Sequence, residues 1–214
     1  MRYTANMATA KPVQGREEIR PVVLALQERV TEELLIAVAR DNPEYRFETT
    51  ADGRLVVSPL TGTFASFGEG ELFAQIALWN KTHGLGRVLP SSGGITLADG
   101  AIKGPDAAFI SEQRLAALSP SRAHRAFEQV APDAVFELLS PADSLNYTVV
   151  KCEEYIETGS DVAVLLDPRE RAVTLYRKGA LPVVIGDAVR VAIGSEMPGF
   201  TLDARAVFAA CEIG

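Results

Sequence analysis

The sequence predicts an α/β (α+β) protein built on a mixed β-sheet flanked by helices. Three observations predict it. Residues 134–166 run as an apolar strand, an amphipathic helix and a second apolar strand, the pattern of a crossover between neighbouring strands. Residues 45–58 read as strand, tight turn at Ala51-Asp52-Gly53, strand, a hairpin signal. The composition is that of an ordinary globular chain, 214 residues with 47% hydrophobic and 23% charged, which excludes disorder and fibrous repeats.

The elements follow in order. Residues 1–30 are expected to form an N-terminal arm, its Pro21 to Val30 portion readable as a short helix or as extended chain, with one domain over 31–214. Thr31 caps a helix whose first turn carries Glu32 and Glu33 and whose apolar positions fall at Leu34, Leu35, Val38 and Ala39; Asn42-Pro43 stops it. After the hairpin, the glycine-containing residues 59–70 read as a connection. A helix is expected over Glu71 to Lys81, where Leu72, Ile76 and Trp79 share one face, and Gly84 and Gly86 close it.

Short strands with sharp connections are expected over residues 87–89, 91–97 and 105–110, then a helical turn near Glu112 to Leu118 and an Arg/His-bearing loop at Ser121 to Phe127. Ala134 to Leu139 is a strand. Ser144 to Thr158 is a helix ended by Gly159, with Leu145, Val149, Cys152 and Ile156 on one stripe. Val162 to Leu166 is the second apolar strand, Val173 to Tyr176 and Val183 to Ile185 pair as a C-terminal hairpin, and Leu202 to Cys211 forms the last helix.

Several chemistries are excluded early. The 21 Lys and Arg against 28 Asp and Glu give a formal net charge of -7, so attraction for nucleic acid has to be local or metal-mediated. His83 and His124 are the only histidines, too few for a histidine-rich zinc centre, and neither Cys152 nor Cys211 has a nearby histidine to activate it. Ser91-Ser92-Gly93-Gly94 lacks the lysine of a phosphate-cradling loop. No window approaches ~18 uninterrupted apolar residues and the N-terminus has no apolar signal core, so the expectation is a cytoplasmic protein without a membrane partner.

Glu137 interrupts Ala-Val-Phe-Glu-Leu-Leu, and a carboxylate there needs a partner or a shifted pKa. It either faces solvent or a structural arginine, or belongs to a site. Asp106 follows Pro105 at the start of an apolar strand, as a turn aspartate or as a second site acid. Two carboxylates entering neighbouring strands can hold Mg²⁺ with water and a substrate phosphate, the minimal apparatus for phosphodiester hydrolysis. Lys151, between Tyr147 and Tyr155 on the following helix, either lies on a solvated face or reaches back across the sheet to offset transition-state charge. Glu48 and Glu71 are weaker candidates for an additional acid.

Pro105-Asp106, Phe136-Glu137-Leu-Leu-Ser140-Pro141, Lys151-Cys-Glu-Glu-Tyr155 and Leu166-Asp167-Pro168 together closely resemble the Uma2 (DUF820) family, a branch of the PD-(D/E)XK restriction-endonuclease-like superfamily. The resemblance runs from about Thr31 to Phe208. It implies a restriction-endonuclease-like fold and a Mg²⁺- or Mn²⁺-dependent endonuclease acting on DNA. Asp106 and Glu137 are implied as metal ligands, and Lys151 as the catalytic lysine. The superfamily's lysine commonly sits two residues after the acid, which is Leu139 here, so the lysine is implied to have migrated to the helix. Lys103, Arg114, Arg122, Arg125 and Lys178 are the candidate basic rim, and a homodimer is the implied assembly. The competing expectations are a catalytically inactive module for oligomerisation or partner binding, and a hydrolase of small phosphate esters.

Overall fold

The computed structural model describes residues 20–118, 125–140 and 143–212. Along the chain these form β1 (Val22–Leu24), α1 (Glu32–Asp41), β2 (Tyr45–Thr49), β3 (Leu55–Pro59), α2 (Thr63–His83), β4 (Gly86–Pro90), β5 (Ile95–Thr96), β6 (Ile102–Lys103), β7 (Ala107–Ser111), α3 (Glu112–Ala116), β8 (Ala134–Leu138), α4 (Leu145–Glu157), β9 (Val162–Asp167), β10 (Ala172–Arg177), β11 (Val183–Ile185), β12 (Arg190–Ala192), β13 (Thr201–Asp203) and α5 (Ala204–Ala210).

The central sheet has the order β11-β10-β9-β8-β7-β4. Among the described strands of this sheet only β8 and β9 pair in parallel, as the α4 crossover between them requires. Strand alternation sorts the core into two layers. Phe136 and Leu138 of β8 pack with Leu72 and Ile76 of α2 and Phe208 of α5, whereas Val135 and Leu139 pack with Cys152, Tyr155 and Ile156 of α4. Glu137 has the parity of Val135, so its side chain is directed to the α4 layer. Asp106 shares the parity of Ile110, which also belongs to that layer.

A separate three-stranded sheet, β1-β3-β2, packs on α1 through Leu35, Leu55, Val57 and Phe47. Because Phe47 faces α1, its neighbours Arg46 and Glu48 face the other way, toward the central sheet.

One open alternative is settled and two expectations change. Residues 22–24 take the extended alternative and pair antiparallel with β3, and Val30 is buried. The helix expected from Glu71 begins eight residues earlier, at Thr63. Thr201–Asp203 forms a strand paired with β12 before the last helix, because Asp203 caps that helix by accepting from the Ala206 N–H and thereby sets its start. Residues 1–19 of the expected arm, and Arg122 and His124 of the expected loop, lie outside the described residues.

Candidate active site

Four elements bring charged side chains to one cleft of about 420 Å³. The antiparallel register of β7 and β8 pairs Ala107 with Phe136, which sets Asp106 opposite Glu137 by continuation. Asp106 reaches across to this strand, its Oδ2 accepting from the Leu138 N–H at 2.8 Å while Oδ1 lies 3.4 Å from Arg46 Nη1.

Lys151 does reach back over the sheet. Its Nζ lies 3.0 Å from Glu137 Oε1 and 3.0 Å from Glu48 Oε1, and donates to the Gly104 carbonyl at 3.1 Å. The Tyr155 hydroxyl, one turn along α4, donates to Glu137 Oε1 at 3.1 Å. The Gly104 peptide ties the cluster together: its N–H donates to Glu48 at 2.9 Å and its carbonyl also accepts from Arg46 at 3.3 Å. Asp106, Glu137 and Lys151 are 6%, 5% and 8% exposed, so they form the floor of the cleft.

The electrostatics of this floor are unbalanced. Among the described residues, five carboxylates line the cleft, Glu48, Glu69, Asp106, Glu137 and Asp143, against two cations, Arg46 and Lys151. Fully ionised, they leave a surplus of three negative charges. Burial pushes the Glu137 carboxyl up to about 8, with Asp106 and Glu48 adding to the rise and Lys151 opposing it. Burial and Asp106 also raise the Glu69 carboxyl. Glu48 goes the other way: burial opposes its charge, but Lys151, Lys103 and the Gly104 N–H outweigh that and hold it below the usual carboxylate range. Lys151 stays charged, since Glu137 and Glu48 outweigh the cost of burying its ammonium and hold its pKa well above the usual lysine range.

A divalent cation fits this donor set, because it neutralises the surplus that protons on Glu137 and Glu69 otherwise relieve. No three Asp, Glu, His or Cys side chains among the described residues form a complete metal cage. Asp106 and Glu137, adjacent across two strands, are the pair that could hold such an ion.

Glu48, expected as an additional acid, is in the cluster. Glu71 is not. It accepts from Gln75 Nε2 at 2.9 Å in a separate groove beside Phe200 and Asp203. Two residues along a helix are about 200° apart, so Glu69 takes the inward position. Arg46 and Glu69 were missed by sequence reasoning; for Arg46, its parity with Glu48 on β2 was the usable signal.

The expected basic rim does not form from Lys103 or Arg114. Lys103 is buried and paired with Glu154 at 2.9 Å. Arg114 ties Asp133, Asp161 and the Ala131 and Gly159 carbonyls together. Arg125 and Lys178 are exposed and neither lines the cleft.

Comparison with known proteins agrees with this architecture. The family model described as "Uma2: Putative restriction endonuclease" matches residues 31–205. A solved structure from Anabaena variabilis ATCC 29413, described as "a putative nuclease belonging to DUF820", aligns with a TM-score of 0.66 and 21% identity, covering 78% of this chain and 91% of that one. At that identity the likeness is one of fold. No curated protein matches.

Proposed function

The chain belongs to the Uma2 family, and from that membership together with the buried acid cluster we propose that it is a Mg²⁺- or Mn²⁺-dependent endonuclease that hydrolyses DNA phosphodiester bonds. The observation that carries the reading is the meeting of Asp106, Glu137 and Lys151, remote in sequence, on the floor of one cleft.

Asp106 and Glu137 are the residues that would hold the ion, which when bound supplies Lewis-acid polarisation of the phosphate and a more acidic water. Arg46 and the Leu138 N–H fix Asp106. Tyr155 and Lys151 fix Glu137. With its pKa held above the ordinary range, Lys151 is a charge stabiliser for the growing negative charge on phosphate oxygens and not a base. Glu48 positions Lys151 by pairing with it at 3.0 Å.

A non-catalytic module is the second reading. It is favoured by one feature: Lys151 is already satisfied by Glu48, Glu137 and Gly104, a network that can pin α4 to the sheet without a ligand. The test is metal-dependent cleavage of linear, supercoiled, single-stranded and branched DNA and of a small phosphate ester, by wild type and by Asp106→Ala, Glu137→Ala and Lys151→Ala. Cleavage of DNA by wild type and its loss in all three variants is the expected result. Equal activity in all four proteins, or turnover of the small ester alone, contradicts the proposal.

A further inference from the structure

The floor of the cleft is polar, but its mouth is not. Leu60 and Phe64 line the entrance and are 60% and 39% exposed, with Pro21 and Pro59 beside them. Phe67, 57% exposed and one turn further along α2, meets Phe64 edge-on with ring centroids 6.1 Å apart. Here the exposed apolar side chains are contiguous, two of them in ring contact, at the lip of a charged cleft.

The charges the cleft offers a phosphate are few. Among the described residues, only Arg46 and Lys151 line it as cations, and both are already paired with carboxylates. Tracking a duplex backbone ordinarily takes a row of lysine and arginine contacts. The reacting groups also lie at the bottom, so a phosphate that reaches Asp106 and Glu137 must bring its own sugar and base down past Leu60 and Phe64. A paired base is held inside its stack and cannot make that descent; an unpaired one can, and it presents a π-face to the ring waiting there.

We propose that the substrate is an unpaired DNA strand, whose base stacks on Phe64, backed by Phe67, as its phosphate enters the Asp106, Glu137 and Lys151 cluster. This rests on the nuclease reading above and names the substrate class of the same site. Recognition is then by stacking and cleft depth, tolerant of sequence, with little contribution from surface charge.

The test compares a labelled oligonucleotide as a single strand, as a blunt duplex, and as a duplex with a single-stranded arm, all cleaved by the full chain with Mg²⁺. Single strand and arm are expected to be cut with at least tenfold higher kcat/KM than duplex, with the cuts inside the arm. Phe64→Ala should raise KM for the single strand about 5- to 150-fold, the range of one lost base stack, with kcat little changed, and Phe64→Trp should restore it. Thermal melting checks that each variant is folded. In parallel, anisotropy of a fluorescent oligo-dT in Ca²⁺ reads binding without cleavage, so absence of all cleavage sinks the nuclease reading while binding still tests this one. Equal or better cutting or binding of duplex overturns the inference. So does an unchanged KM and Kd in Phe64→Ala, or a change in that variant's oligomeric mass in place of its KM, which would mean that a second copy covers the aromatic lip.

Discussion

Replacing Glu137 by Gln keeps the shape of the side chain and leaves an amide oxygen for Tyr155 and Lys151, while deleting one titration. The carboxyl's pKa is about 8 in the folded protein, against 4.5 for an ordinary glutamate. A carboxyl whose folded pKa is raised binds its proton more tightly in the native state. Its contribution to stability is therefore full at low pH and is lost as pH rises from about 4.5 to about 8. At about 1.4 kcal/mol per unit, wild type loses about 2.5 kcal/mol from this group between pH 5.5 and 7.5, and the Gln variant loses none of it. Lys151 titrates above this window and Glu48 below it, so neither adds to the slope. Glu69 titrates in both proteins and cancels in the difference. The assay is urea unfolding of both proteins in EDTA across that range, followed by far-UV circular dichroism. The variant should gain on wild type by about 2.5 kcal/mol, or about 5–10 °C in Tm for a domain of this size. A difference that stays constant within about 0.5 kcal/mol from pH 5.5 to 7.5 would refute the buried, proton-holding Glu137 on which the electrostatic argument stands.

Other expectations are checked alongside. Lys151→Met removes the cation that Glu48 and Glu137 share, and should cost about 3–5 kcal/mol near pH 8 and less near pH 5, with part of the loss recovered in the double variant with Glu137→Gln, all read by the same unfolding curves. Glu69→Gln should lower the cleavage rate at least tenfold whereas Glu71→Gln leaves it within twofold; the reverse order would mean that the wrong helix face had been assigned to the cleft. Gly68→Ala, although favourable by helix propensity, puts a Cβ onto Cys211 Sγ and 2.8 Å from Leu138 Cδ2. It should destabilise by about 1–3 kcal/mol, and a rise in Tm would contradict that packing. Binding of single-stranded oligo-dT should weaken with salt at a log–log slope of magnitude about 1.4, the value for two phosphate contacts, and a slope several times steeper would reveal a basic track elsewhere on the protein.

The parts of the fold that were legible in the sequence are those where one period dominates. The apolar run over residues 134–138, the stripe on α4 and the run over 162–167 are buried elements whose patterns admit one reading, and the parallel pairing of β8 and β9 follows from them. The start of α2 was hidden by Gly62, Gly68 and Gly70, which argue against helix on propensity alone. Gly68 is there because α2 runs close to Leu138 and Cys211, a contact no local pattern encodes. Missing those first two turns is what substituted Glu71 for Glu69. Lys103 reads as a surface cation in sequence, but the short β5–β6 pairing buries it against Glu154 of α4, a partner 51 positions away. Glu137, Asp106 and Lys151 stood out in the sequence as a carboxylate inside an apolar run, an acid at a strand start and a lysine on the next helix, but each kept an ordinary structural explanation until the family resemblance joined them. What the fold adds is their distance from one another.

The most direct measurement of the central claim is a calorimetric titration of the metal-free full chain with Mn²⁺, repeated on Asp106→Ala and Glu137→Ala. One saturable site is expected in wild type, abolished by both substitutions while the proteins remain folded by circular dichroism. Heat of binding that is absent from wild type, or that persists unchanged in both variants, would leave the acid cluster as a structural ion network and the cleft without its ion.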